Sequence, residues 1–120
     1  MLELDDNYFK EEERCGFKIP SMMKRVWAVE MDVLTHIDRI CMEYGLTYYA
    51  AFGTMLGAVR HNGFVPWDDD IDVGMTGENY DKFIQVMNNS QNEKYSLMSS
   101  EGNEKFPYLR SCLLYTSDAA

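Results

Sequence analysis

The segment 53–75, GTMLGAVRHNGFVPWDDDIDVGM, contains the features from which the fold is predicted. It begins with a Gly-Thr pair, continues as a short apolar run that ends at Asn-Gly, and then places four acids within residues 68–72. This order predicts a turn, a short helix capped by Thr54, and a strand in which polar and apolar residues alternate.

The predicted strand carries a cluster of carboxylates. Alternation sends Asp68, Asp70 and Asp72 to one face and leaves Ile71 and Val73 to anchor the other. Carboxylates this close repel one another, and a bound divalent cation is the simplest compensation. Oxygen ligands suit Mg²⁺, Mn²⁺ or Ca²⁺, and a pair on a strand favours Mg²⁺ that takes further ligands from water and substrate phosphates.

Two other interpretations of the acids are a calcium-binding loop and a solvated acidic loop. A calcium-binding EF-hand loop that starts at Asp68 requires Gly at its sixth position and Glu at its twelfth, where the chain has Val73 and Asn79. The EF-hand is therefore excluded. A solvated acidic loop without a ligand stays open as an alternative.

The Gly-Thr pair before the helix is a candidate phosphate site. Gly53 allows the backbone to approach a phosphate, the helix start offers unpaired N–H groups, and Thr54 offers a hydroxyl. Arg60 is a candidate for further contacts to the same phosphates, with a surface arginine as the equal alternative. His61 is interpreted as a loop residue.

Together these features resemble a known family. The run FGTMLGAVRHNGFVPWDDDIDVGM, residues 52–75, resembles the signature of the LicD family, and its Gly-Thr turn followed by Asp-Ile-Asp resembles the wider nucleotidyltransferase superfamily. The resemblance covers roughly residues 22–108. It implies an α/β (α+β) fold, with a nucleotidyltransferase-like mixed sheet flanked by helices that is incomplete in this chain.

The resemblance also implies an activity. LicD-like proteins transfer phosphocholine, or a related alkyl phosphate such as ribitol phosphate, from a CDP-linked donor such as CDP-choline. The acceptor is a hydroxyl of a cell-surface glycan, for example bacterial lipopolysaccharide or teichoic acid. The acceptor glycan, the choice among choline, ribitol and glycerol phosphate, and the oligomeric state stay open.

Site residues follow from the resemblance position by position. Gly53 and Thr54, with Arg60, would bind the donor phosphates. Asp70 and Asp72 would be the catalytic residues and the ligands of Mg²⁺ or Mn²⁺, with Asp68 as a further candidate ligand. Asp69 would be a supporting acid whose separate role is not assigned.

The superfamily also uses a third carboxylate from a later strand. After Glu104 the sequence contains one acid, Asp118, in a segment that does not resemble the family. We therefore expect the 120-residue chain itself not to catalyse transfer. Two other functions stay open: a nonenzymatic fragment or binding module, and a nucleotidyltransferase that moves a nucleotide from a nucleoside triphosphate.

The rest of the chain is divided by composition. Residues 1–20 are an acidic leader, residues 21–110 the N-terminal part of a LicD-like domain, and residues 111–120 an atypical tail that is not a convincing helix. From Ser21, interpreted as an N-cap, apolar residues recur at helical spacing until Gly45. This helix is predicted to pack in the core, and neither His36 nor any other polar residue on its apolar face suggests a site.

Three shorter elements complete the prediction. The apolar run LTYYAAF, residues 46–52, predicts a buried strand. An amphipathic helix follows Thr76, and a short strand is predicted near the KYSLM motif. The face that this helix buries consists of Tyr80, Phe83, Ile84 and Met87.

Composition limits the class of protein. The chain is 46% hydrophobic with a net charge of −9, which predicts a folded domain that does not bind nucleic acid. It shows neither a membrane span nor a signal peptide, so it is expected to be cytoplasmic. The cysteines have no metal-binding or disulfide spacing and are expected to be reduced: Cys15, Cys41 and Cys112.

Overall fold

A computed structural model describes residues 3–89, 95–98 and 112–115. These parts of the chain form a 3₁₀ turn, three α-helices and six short strands. In chain order they are the 3₁₀ turn Asp6–Phe9, β1 Glu12–Arg14, β2 Phe17–Ile19, α1 Ser21–Tyr44, β3 Tyr49–Ala50, α2 Phe52–Arg60, β4 Val73–Gly74, α3 Gly77–Asn89, β5 Tyr95–Met98 and β6 Cys112–Tyr115.

The described strands pair as three separate antiparallel ribbons: β1 with β2, β3 with β4, and β5 with β6. Helices and antiparallel strands in one chain confirm the predicted α+β class. The strands of the described residues do not form the expected mixed sheet, because each strand has one partner and each pairing is antiparallel.

α1 is the predicted long amphipathic helix, and it ends where expected. Gly45 adopts a left-handed conformation with φ of 67°, which glycine reaches at little cost, and its N–H bonds to the Cys41 carbonyl. The predicted N-cap is wrong. Pro20 occupies the cap position without a side-chain bond, and the Ser21 hydroxyl donates instead to the carbonyl of Phe9 in the 3₁₀ turn.

The acidic leader contains a hairpin that the sequence analysis did not predict. β1 and β2 turn at Cys15 and Gly16, which both have positive φ, and Ile19 at the end of β2 is fully buried. The ammonium group of Lys24 in α1 is buried, pairs with the Glu12 carboxylate and donates to the Tyr8 carbonyl at 3.0 Å. The leader is therefore attached to α1 by burial and by charge.

Buried residues gather at two places along α1. The first cluster packs α1 against α3 and includes the predicted face of α3; its buried members are Ile37, Ile40, Cys41, Phe83, Ile84 and Met87. The second place lies toward the start of α1, where the buried Trp27 stacks on Phe64 and bonds to the Asp68 carbonyl. The predicted face of α3 is thus confirmed. That of α1 is confirmed at Trp27 and at the buried residues Ile37, Ile40 and Cys41, whereas Val26 and Tyr44, which share its apolar spacing, are exposed.

The apolar face of α1 also carries polar groups that the sequence analysis treated as uninformative. Asp32 is buried and accepts a hydrogen bond of 3.0 Å from the Tyr95 hydroxyl of β5. His36 stacks on the same tyrosine, with ring centroids 4.2 Å apart. These contacts attach β5 to α1, and the interpretation of His36 as a packing residue fits them.

The predicted buried strand over residues 46–52 is mostly wrong. Pairing is limited to Tyr49 and Ala50, and the Tyr49 side chain is exposed. α2 begins at Phe52, whose φ of 50° turns the chain out of the extended conformation. The apolar composition of the run predicted burial along its whole length, but its aromatic residues do not all face the core.

The predicted strand over the acids is also shorter than expected. Pairing covers Val73 and Gly74, and residues 68–72 form an irregular loop, the acid loop. The physical reason lies in the partner strand: β3 ends at Ala50 because α2 starts two residues later. The last backbone bond of the pair runs from the Ala51 N–H to the Asp72 carbonyl, at 3.0 Å.

The strand predicted near KYSLM is present as Tyr95–Met98. Its partner is Cys112–Tyr115, in the tail where the sequence indicated no convincing helix. The alternation in that stretch is weak, and its β-structure follows from pairing with β5. Asp118 lies outside the described residues.

One face of α2 is apolar and exposed; its residues are Phe52, Met55, Leu56 and Val59. The spacing of three and four positions places them along one side of the helix. Among the helices that the structure describes, none is both long and apolar enough to cross a membrane.

Candidate functional site

The Gly-Thr pair lies in the first turn of α2, but Thr54 does not cap it. Ala51 occupies the N-cap position, and no side chain bonds to the helix start there. The Thr54 hydroxyl oxygen instead accepts a hydrogen bond of 2.7 Å from the backbone N–H of Asp72. The predicted capping role is therefore wrong, and Thr54 ties the end of the acid loop to α2.

α1 holds the other end of the acid loop. The indole nitrogen of Trp27 donates to the Asp68 carbonyl at 2.7 Å, and the Asp68 N–H donates to the Val65 carbonyl at 2.9 Å. The Trp27 ring stacks on Phe64, with centroids 4.7 Å apart and planes 3° from parallel. Both ends of the loop are thus fixed by hydrogen bonds to neighbouring segments.

A cavity of about 460 Å³ lies between α1, α2 and the acid loop, and we refer to it as the loop cavity. Its volume is within the usual range of small-molecule sites, roughly 300–1,000 Å³. The lining residues are Met31, Leu34, Gly53, Thr54, Ala58, Asn62, Gly63, Phe64, Val65, Asp68, Asp70 and Ile71.

The structure brings part of the predicted site together at this cavity. Gly53, Thr54, Asp68 and Asp70 all line it. Asp72 is half-buried and does not line the cavity. Its backbone is fixed to the start of α2, because its N–H donates to the Thr54 hydroxyl and its carbonyl accepts from the Ala51 N–H. Strand alternation predicted that the apolar residues of this segment lie on the opposite face from the acids. Ile71 instead lines the same cavity as Asp70, because the loop is not a regular strand.

Arg60 and His61 lie at the far end of α2. Arg60 is exposed in the last helical turn and does not line the loop cavity, so the structure does not bring it to Gly53 and Thr54. His61 follows the helix, with its Nδ1 atom 4.0 Å from the Cys15 sulfur, and fits the interpretation as a loop residue.

Gly53 permits a close approach of a side chain and has no unusual backbone angle. A Cβ atom at this position would lie 2.6 Å from Oδ2 of Asp68, well inside normal contact distance. The absence of a side chain therefore lets the Asp68 carboxylate lie directly against the first turn of α2. The unpaired N–H groups of that turn stabilise negative charge.

Glu30 is a residue of this site that the sequence analysis missed. It projects from α1, and one of its carboxylate oxygens, Oε2, is buried without a hydrogen-bond partner. Burial, together with the negative charges of Asp69 and Asp70, raises the pKa of the Glu30 carboxyl to about 8. An acid 40 positions before the cluster gives no local sequence signal of this proximity.

The acid loop and Glu30 suit a hard cation by their chemistry. Their ligands are carboxylate oxygens, and the buried oxygen of Glu30 and the repulsion from Asp69 and Asp70 would both be relieved by positive charge. Within the described parts of the chain, no group of three or more His, Cys, Asp or Glu side chains lies close enough together to hold a metal ion. Further ligands would therefore have to be water or substrate oxygens, as is usual for Mg²⁺.

Replacing Glu30 by glutamine is expected to change how stability depends on pH. The folded chain keeps the Glu30 proton up to about pH 8, whereas the unfolded chain releases it near 4.5. Folding stability therefore falls as pH rises between these values. In Glu30→Gln this fall in stability should be smaller. At pH 8 the free energy of unfolding should be higher than in the unsubstituted chain by about 1–2 kcal/mol, well below the free energy equivalent to the full pKa shift, because the carboxyl is half exposed.

Urea denaturation of the chain at several pH values measures this effect. Glu43→Gln is the matched control, because Glu43 is exposed on the same helix. An unchanged pH profile in Glu30→Gln would show that Glu30 is not held near the acid loop.

Replacing Thr54 by valine tests the bond that ties the acid loop to α2. Valine has nearly the same shape but leaves the N–H of Asp72 without its acceptor, so unfolding free energy should fall by about 1–2 kcal/mol. Thr54→Ser keeps an acceptor oxygen and should recover most of that loss. The measurement is urea denaturation with hydrogen exchange at the Asp72 amide, and equal behaviour of the two variants would contradict the assigned bond.

A helix start and clustered carboxylates at one cavity are typical of a site for a phosphorylated ligand. The chain matches the family described as "LicD/FKTN/FKRP, nucleotidyltransferase domain" over residues 45–109, which include α2 and the acid loop. More than half of the chain is covered by this match. The chain therefore belongs to the LicD family.

Individual relatives support this assignment. The lipopolysaccharide cholinephosphotransferase LicD of Haemophilus influenzae is 38% identical over 71 residues, which are 59% of this chain and 27% of the relative. Uncharacterised proteins of Rickettsia typhi and Rickettsia prowazekii are 45% and 43% identical over 42 residues, 35% of this chain and 14% and 16% of theirs. The chain thus spans about a quarter or less of the length of these relatives. No solved structure matches the chain.

Proposed function

We propose that this chain carries the donor-binding part of a transferase that moves phosphocholine, or a related alkyl phosphate, from a CDP-linked donor to a hydroxyl of lipopolysaccharide or a similar cell-surface glycan. One observation carries the proposal: the start of α2 and the carboxylates of Asp68 and Asp70 meet at one cavity. The similarity to the Haemophilus cholinephosphotransferase gives the proposed transferred group and acceptor.

In the proposed reaction, the acceptor hydroxyl oxygen attacks the phosphorus atom that carries choline. A new P–O bond forms, the bond from that phosphorus to the bridging oxygen breaks, and CMP leaves with the electron pair while the hydroxyl proton passes to a base. Charge accumulates on the phosphate oxygens, so catalysis depends mainly on positioning and on charge stabilisation.

The residues of the chain take separate roles in this proposal. Gly53 and Thr54, at the first turn of α2, lie where backbone N–H groups can face the donor phosphates. Asp70 and Asp72 would hold Mg²⁺ or Mn²⁺ together with water and donor oxygens, and the ion would neutralise charge on the donor phosphates. The Thr54–Asp72 bond keeps these two parts of the site in a fixed relation.

The test uses the product of the complete reading frame, incubated with CDP-choline, Mg²⁺ and lipopolysaccharide. The expected result is CMP release that requires both the acceptor and the metal. Pyrophosphate release from a nucleoside triphosphate, without CMP from CDP-choline, would favour a nucleotidyltransferase instead. No release from either donor would favour a nonenzymatic binding module.

A further inference from the structure

We propose that the outer face of α2 docks on the surface of a lipid bilayer and holds the loop cavity next to a lipid-borne acceptor. The outer face consists of four exposed apolar residues of that helix, Phe52, Met55, Leu56 and Val59. Docking on lipid depends on this surface alone, whereas its use for the acceptor rests on the proposed function.

The two sides of α2 are the reverse of those of an ordinary surface helix. The packed side carries small residues, because Gly53 lies against the Asp68 carboxylate and Gly57 against the backbone of residues 63–65. The large apolar side chains point the other way, and Val59 is 82% and Phe52 78% exposed. A helix on the surface of a globular protein normally buries its large apolar residues and exposes polar ones. The outer face therefore fits contact with an apolar partner.

The backbone at the start of α2 holds Phe52 outward in a strained conformation. Its φ is 50°, a left-handed value that bulky residues rarely adopt. Strain of this kind persists only where the surrounding structure enforces it, and it is concentrated at functional positions. The Phe52 ring is exposed, so this conformation adds nothing to the core and instead presents an aromatic side chain to a partner.

The charge of the segment around α2 favours a lipid surface as that partner. Twenty of the 120 residues are acids, yet none lies between Glu43 and Asp68. Arg60, exposed in the last turn of α2, is the single formal charge of this segment. Lipid phosphates would therefore meet a cation and no carboxylate of the segment. Two copies of the chain, each with a net charge of −9, would instead repel one another, which disfavours a dimer on this face.

Exposed aromatic residues with polar atoms lie at both ends of α2. Tyr49 precedes the helix by three residues, and Trp67 contacts His61 just after the helix, with ring centroids 6.1 Å apart. Tyrosine and tryptophan are enriched at the boundary between lipid and water, because one end of each side chain is apolar and the other polar. The surroundings of the outer face thus have the composition of a segment that lies at the level of lipid head groups.

The position of α2 gives this surface a use in the proposed reaction. Gly53 and Thr54, on the opposite side of the helix, line the loop cavity. An α-helix with its side chains is about 10–12 Å across, so a docked α2 would hold the cavity roughly that far from the lipid. The site would then select hydroxyls in the part of a glycan that lies closest to its lipid.

Vesicle sedimentation tests the docking. Sucrose-loaded phosphatidylcholine vesicles are mixed with the 120-residue chain and, in parallel, with the product of the complete reading frame. We expect both proteins to sediment with the vesicles, with half-saturation at about a millimolar lipid or below. Salt should have little effect, because apolar burial is the main contribution. An excess of soluble phosphocholine should not displace either protein, which separates docking from recognition of a head group.

A matched pair of double variants identifies the face. Met55→Gln with Val59→Gln removes two apolar residues from the outer face and should weaken vesicle binding about tenfold or more. Met22→Gln with Met42→Gln removes two exposed methionines from α1 and should leave binding unchanged. All four side chains are exposed, so both variants should stay folded, which circular dichroism checks. In the unsubstituted chain, vesicles should slow hydrogen exchange in α2 and not in α3, which tests the face without any substitution.

Four results would each overturn the inference: no sedimentation of either protein, sedimentation of the 120-residue chain alone, displacement by phosphocholine, or equal effects of the two double variants. Sedimentation of that chain alone would show that the rest of the protein covers the outer face. A dimer that Met55→Gln with Val59→Gln dissociates, without vesicle binding, would assign the face to a second copy. Sedimentation requires no donor, so vesicle binding without CMP release would overturn the proposed function alone. CMP release without vesicle binding would overturn the inference alone.

Discussion

Gly57→Ala is expected to lower the free energy of unfolding by about 3–5 kcal/mol, a large share of the total stability of a small domain. Gly57 is buried in the middle of α2, and a Cβ atom there would lie 2.2 Å from the Gly63 carbonyl oxygen and 3.0 Å from the Val65 nitrogen. Both are backbone atoms, so the clash cannot be relieved by moving a flexible side chain. α2 would have to separate from the segment that forms one wall of the loop cavity.

Gly63→Ala is the matched control for this prediction. A Cβ atom at Gly63 meets nothing within 4 Å, so stability should change by no more than about 0.5 kcal/mol. Urea denaturation followed by circular dichroism measures both variants. Similar stability of the two would show that α2 does not pack against residues 63–65 as described.

Asp70→Asn is expected to reduce transfer on the order of a hundred- to a thousandfold in the product of the complete reading frame. The amide keeps the size of the side chain but removes the negative charge that the proposed cation requires. Stability should be unchanged or slightly higher, because a like-charge repulsion with the neighbouring acids is lost. Asp72→Asn should have a similar effect on transfer, since its position is fixed by Thr54.

Asp69→Asn serves as the control for activity. Asp69 is exposed and does not line the loop cavity, so its loss should reduce transfer far less than the loss of Asp70. Initial rates of CMP release with saturating CDP-choline give the comparison, alongside thermal midpoints for each variant. If Asp69→Asn were the more damaging substitution, the assignment of Asp70 to the proposed metal site would have to be abandoned.

Local sequence patterns were sufficient for the helices. The apolar spacing that ends at Gly45 and the apolar face of α3 each depend on residues three or four positions apart, and both are present in the structure. The family resemblance was also readable from one contiguous stretch, residues 52–75. These predictions succeeded because all of the interactions that they require lie within one element or one motif.

The site itself depends on contacts between distant residues, which no local pattern contains. Trp27 reaches the Asp68 carbonyl across 41 positions, and Thr54 reaches the Asp72 N–H across 18. The alternation over the acids predicted a strand, but a strand needs a partner, and β3 ends after Ala50. The raised pKa of Glu30 likewise depends on burial and on acids that only the fold brings near.

α1 contributes to both buried regions of the molecule, and Ile37 lies about 15 Å further along its 24-residue length than Trp27. Regions separated in this way can open one at a time, since local unfolding follows contiguous units of packing. Release of α3 from Ile37 and Ile40 would leave the stacked rings of Trp27 and Phe64 in place. A ligand in the loop cavity would then slow hydrogen exchange in the first half of α1 and leave the second half to exchange at its own rate.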